Sequence, residues 1–143
     1  MLVVFIPLIP FICSVLLLNM DRHPSHRRLA SLTGSVSILL TLILTAVLAG
    51  SPEIKTPVEY LFSPLFNLPG TAEPLSFSLI VDALTLRWLI YLSLAVIPFQ
   101  VLHSLHRNPD FHATGKLAAI HLAQAGLNTL FLAGSLVTGV IGW

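Results

Sequence analysis

Asp82 and Arg87 are charged side chains set in a long apolar stretch. A charge inside such a stretch is stable only where it is paired, hydrated or close to water. Five residues of separation puts the two about 140° apart around a helix, so they do not form a natural intrahelical pair. Each needs its own partner. One reading has Asp82 capping the start of a helix and Arg87 anchoring a neighbouring helix or loop. The other makes the two, Arg87 above all on account of its depth, members of a buried proton or ion relay. The residue types leave both open.

His121, Gln124, Asn128 and Ser135 form a second constellation. Their offsets keep them on one side of a helix, and hydrocarbon cannot satisfy their donors. They must face protein or water. His121 can shuttle protons, since an imidazole titrates near neutrality, or it can simply hydrogen-bond to an adjacent helix. His103, His106 and His112, together with His121, raise a haem reading, which requires ligands from facing helices at matched depth. His23 and His26 lie in a basic turn suited to lipid head groups. The sequence has no phosphate loop, no nucleophile elbow and no close pair of carboxylates. Its one cysteine, Cys13, excludes an internal disulfide and a thiolate metal cluster. No self-contained active site, resident metal or cofactor is expected. At most the chain is a subunit of a redox- or ion-driven translocase.

The elements that must carry these residues follow from composition. The chain has 143 residues, of which 55% are hydrophobic and 9% charged, with a net charge of +1. Its mean hydropathy is +0.90. A soluble domain carries about 25% charged residues, so a cytosolic enzyme, a nucleic-acid binder and a disordered tail are excluded. The composition is that of an integral membrane protein.

The expected fold is all-α, with four transmembrane helices and the start of a fifth in a single domain covering 1–143. The first span, 1–20, is long enough to cross the roughly 30 Å hydrocarbon core. It lacks the basic lead and small-residue cleavage site of a secretory signal, so it reads as a retained helix despite Pro7 and Pro10. The second span, 29–48, places Thr33, Ser37, Thr41 and Thr45 on one face. Such a stripe suits close helix packing, with a polar solute path as the alternative. Residues 51–75 hold five prolines and read as an ordered extramembrane loop with room for a short hairpin. A third span runs over 77–102 and contains Asp82, Arg87 and Pro98. A fourth covers 117–132, and Ala133-Gly134-Ser135 breaks it from a partial fifth at 135–143. Arg22, Arg27, Arg28, Arg107 and Lys116 fall in the two short loops, against Lys55 alone in the Pro-rich loop. The positive-inside rule therefore puts the amino terminus and the Pro-rich loop outside.

Val81-Asp82-Ala83-Leu84-Thr85-Leu86, the polar loop from His103 to Lys116, and the closing Leu132-Ala133-Gly134-Ser135-Leu136-Val137 to Gly142-Trp143 resemble the amino-terminal portion of the large antiporter-like membrane subunits. That superfamily includes the distal proton-pumping subunits of respiratory complex I, the large subunit of Mrp-type antiporters and subunits of membrane-bound hydrogenases. It also includes the membrane partner of DAB-type inorganic-carbon complexes. The resemblance implies an Asp-Gly-Leu-Ser-like signature at Asp82–Thr85, with Ala83 in place of glycine. It also implies a helix break at Ala133–Leu136 and a Trp-Glu pair whose tryptophan is Trp143. The glutamate and the later lysines of the pumping members lie beyond Trp143, and the Ala-Leu signature leans toward the DAB-type subunits. The implied protein is a split or reduced antiporter-like chain in a proton- or cation-translocating complex. It would lend scaffold helices to a larger ion-conducting membrane subunit in the bacterial inner (cytoplasmic) membrane. Arg87, His121 and Asp82 are its relay candidates, and Thr33, Ser37, Thr41, Thr45, Gln124 and Asn128 its packing stripe. A non-transporting assembly protein, or a haem-binding redox subunit, is the alternative.

Overall fold

The computed structural model of the chain describes residues 2–20, 27–51, 56–66, 75–105 and 113–143. A 3-10 turn, Leu2–Val4, leads into α1 (Phe5–Met20), followed by α2 (Arg27–Ala49), strands β1 (Val58–Phe66) and β2 (Leu75–Val81), α3 (Ala83–Leu105), α4 (Ala113–Phe131) and the short α5 (Leu136–Gly142). The fold is mostly helical. Three helical stretches, Leu2–Met20, Arg28–Ala49 and Ala83–His103, are long and apolar enough to cross a membrane.

Helices α1 to α4 pack as a ring. α1 lies against α2 and α4, α3 lies against the same two, and α2 and α4 meet only weakly across the diagonal. The sequence dictates this through buried positions spaced three or four apart, such as Leu86, Leu89, Ser93, Val96, Gln100 and His103 on α3. The outward faces are apolar instead of polar: Leu32 is 65% exposed, Val47 60% and Leu102 57%. That inversion of the soluble pattern suits a hydrocarbon solvent.

Two apolar clusters close the bundle. Val3, Ile6, Leu48, Leu79, Val81, Leu86, Leu89 and Leu132 pack at the hairpin end. Cys13, Leu17, Ala30, Leu117 and Ala118 pack toward the opposite end. Between the clusters the inner positions are largely polar.

The structure corrects the expected elements in two places. The fold is not purely helical, because β1 and β2 form an antiparallel hairpin with Val58 opposite Val81 and Tyr60 opposite Leu79. Residues 77–81 are strand, so the third helix begins at Ala83 and not near Phe77. The reason lies in Leu75-Ser-Phe-Ser-Leu-Ile-Val81. Its polar and apolar residues alternate with period two over Ser76 to Leu79, and it ends in two β-branched residues, a strand pattern. The basic turn with Arg22, His23 and His26, the residues Lys55, Pro69 and Gly70, and Arg107, His106 and His112 lie outside the described residues.

β2 also fastens the break after α4. The Ile80 amide donates to the Leu132 carbonyl at 2.7 Å, and the Gly134 amide donates to the Ser78 carbonyl at 2.9 Å. A Cβ at position 134 would stand 2.6 Å from Ser78 Oγ and 2.8 Å from Ile80 Cγ1. Only glycine lets the backbone approach so closely. Thr138 completes the lock, accepting from the Ser78 amide at 3.1 Å and donating to its carbonyl at 2.8 Å.

Candidate functional site

The inner face of α4 is where polar groups concentrate. His121, Gln124 and Asn128 recur every three or four residues, and all three are buried, at 0%, 1% and 0% exposure. Since this face meets α1 and α3, the stripe turns into the chain's own bundle. Gln124 Nε2 donates to Ser93 Oγ on α3 at 3.2 Å. Asn128 Nδ2 donates to the Ile6 carbonyl on α1 at 3.1 Å.

That last bond has a cause in the sequence. The Ile6 carbonyl would normally accept from the amide four residues on, but residue 10 is proline and has no N–H. Asn128 supplies the missing donor. A membrane helix tolerates an internal proline when a neighbour re-satisfies the freed carbonyl. Pro7 lies in the first turn of α1, where amides lack helical partners in any case.

Other acceptors and donors of this face, and one hydroxyl on α2, remain unmatched. Neither ring nitrogen of His121 has a hydrogen-bond partner among the described residues, nor do Gln124 Oε1, Asn128 Oδ1 or Ser37 Oγ. Gln124 sits beside the His121 ring one turn along without closing a bond of good geometry.

Ser135 does not belong to this stripe. α4 ends at Phe131, and Ser135 instead caps α5, its hydroxyl accepting from the Thr138 amide at 3.3 Å.

The α2 stripe behaves differently. Ser37, Thr41 and Thr45 are buried and Thr33 is half-buried. Thr33, Thr41 and Thr45 hydroxyls donate to the carbonyls of Leu29, Ser37 and Thr41 at 2.8, 2.8 and 2.7 Å. Their polarity is spent within their own helix.

Asp82 is the N-cap of α3. Its Oδ1 accepts from the Thr85 amide at 2.6 Å, and that bond holds its carboxyl below the usual carboxylate range. Arg87 lies one turn into α3 on its exposed side. It is flanked by the exposed Leu84, Trp88 and Tyr91. Trp88 stacks on Phe131 of α4 with ring centroids 6.4 Å apart. The three relay candidates are therefore not assembled into one site. Asp82 and Arg87 stand at the hairpin end of the outer wall, and His121 stands inside.

His103 occupies the last turn of α3, whereas His121 lies two turns into α4. Among the described residues no group of three His, Cys, Asp or Glu side chains is arranged to hold a metal ion.

Sequence reasoning missed Ser93 and Gln100. Gln100 Nε2 reaches the Ser31 carbonyl on α2 at 2.6 Å, and its amide fills the space left by Gly34, where a Cβ would collide with Gln100 Oε1. Their inward spacing with Leu86, Leu89 and Val96 was the available signal. The sequence matches no protein-family model and no curated protein.

Proposed function

We propose that the chain is a small membrane subunit of a proton- or cation-translocating complex of the antiporter-like kind, lending scaffold helices to a larger ion-conducting partner. In this reading α1 to α4 all cross a bacterial inner membrane, with the amino terminus and the hairpin outside. Support for a fourth span is the packing of α4, 19 residues long, alongside α1 and α3. Its lower apolarity reflects the polar face it turns inward. Trp88, Tyr91 and Phe131 suit the aromatic belt of a membrane interface at the hairpin end.

The observation that carries the reading is Arg87. It is an exposed guanidinium beside Leu84, Trp88 and Tyr91 at the interface end of α3, where a docking chain can reach it. A carboxylate on the larger subunit is the counter-charge it fits. Asp82 fixes the start of α3 and so the position of Arg87. Mild-detergent purification followed by mass spectrometry should recover a large membrane subunit with this chain. Arg87→Ala should lower ion flux in the intact complex. Unchanged flux with normal assembly would remove Arg87 from the mechanism, and recovery of a lone chain would overturn the reading. An assembly role without transport is the second reading, favoured by the self-satisfied hydroxyls of α2.

A further inference from the structure

We infer that the interior of the four-helix ring is a water-binding site, in which enclosed water bridges Ser37, His121, Gln124 and Asn128. The inference goes beyond the subunit role and holds whether or not a larger chain docks outside.

The unmatched groups make the case. Both His121 nitrogens, Gln124 Oε1, Asn128 Oδ1 and Ser37 Oγ are buried without hydrogen-bond partners among the described residues. An orphaned buried polar group is costly, and one imidazole and two amides in a lipid-surrounded bundle compound that cost. The residues that bear them are at most 4% exposed, so neither a lipid head group nor a partner helix reaches them. Water is small enough to do so.

The placement of these groups also supports it. Ser37 and the α4 groups lie on diagonal helices, which meet only weakly. Along their axes Ser37 lies about 15 Å from the start of α2, and His121 and Gln124 lie about 12 and 16 Å from the start of α4. Those depths match for two helices running in the same direction. The neighbouring inner positions are small: Ser14 on α1 and Ser93 on α3. Apolar clusters lie at both ends, so the water is enclosed and not part of an open cleft. A buried water needs two to four polar partners. The orphaned groups provide them, with His121 donating from one ring nitrogen and accepting at the other. A proton accepted at the second nitrogen and released from the first to the next water leaves the imidazole neutral in its other tautomer.

Water-edited solid-state NMR on the uniformly labelled full chain in lipid bilayers tests this. Polarisation from water should reach the His121 ring and the Gln124 and Asn128 side-chain amides at mixing times where Leu89 and Leu132, in the apolar cluster, remain dark. If the three polar side chains stay as dark as Leu89 while Asp82 at the helix cap is bright, the site is dry and the inference falls. Equal build-up at Leu89 and His121 would also overturn it, because hydration would then not follow the orphaned groups. The wild-type chain suffices, so no outcome depends on a variant folding.

Discussion

The chain carries two polar stripes at helical spacing, one on α2 and one on α4, and they serve different ends. The threonines of α2 are short and bond back to carbonyls one turn earlier in their own helix, at 2.7 to 2.8 Å. The α4 stripe is built of longer, planar groups, and two of them cross to neighbouring helices, Gln124 to Ser93 and Asn128 to the Ile6 carbonyl. Spacing fixes which face a residue occupies. Side-chain length and hydrogen-bonding capacity decide whether that face ties two helices together or only permits them to approach.

Asn128→Leu should show the largest effect. It removes the cross-helix bond and leaves the Ile6 carbonyl unsatisfied in apolar surroundings, for a loss of about 1–2 kcal/mol in a reversible unfolding assay in bicelles. Asp82→Ala should come next, at about 1 kcal/mol, because it uncaps α3. Since the folded carboxyl is held below its usual range, the stabilisation is present above the unfolded carboxylate pKa and fades as pH falls through the lowered folded value. Asp82→Asn keeps a capping oxygen and should abolish that pH dependence, which a pH series of unfolding curves would read. Thr41→Val should have the smallest effect, within about 0.5 kcal/mol, since it keeps the shape and removes a hydroxyl that bonds only its own helix. A Thr41→Val loss as large as that of Asn128→Leu would erase the distinction between the stripes.

Much of the architecture was legible because lipid permits few solutions. Apolar runs of about 20 residues, broken by charged or proline-rich segments, mark helices directly. The hairpin was less so. Phe77 to Val81 is apolar enough to read as the first turns of the third span, and only its period-two alternation and the capping position of Asp82 separate strand from helix. Counted from Phe77, Arg87 would lie nearly three turns into the helix, where the structure puts it one turn in. The inward turn of His121, Gln124 and Asn128 was legible as a stripe, but its partners were not. Ser93 lies 31 residues from Gln124, and Ile6 lies 122 residues from Asn128. Nothing local in the sequence joins Pro10 to Asn128, although the proline announces that some donor must come from elsewhere.

That pairing offers the most direct test of whether the α4 stripe works inside this chain. Pro10→Ala returns a backbone N–H to the Ile6 carbonyl, so a double-mutant cycle with Asn128→Leu in bicelles isolates the contact. The expected result is that the cost of Asn128→Leu falls by roughly half or more in the Pro10→Ala background. Strictly additive losses would mean that Asn128 does not serve that carbonyl, and that the polar face of α4 answers to something outside the bundle.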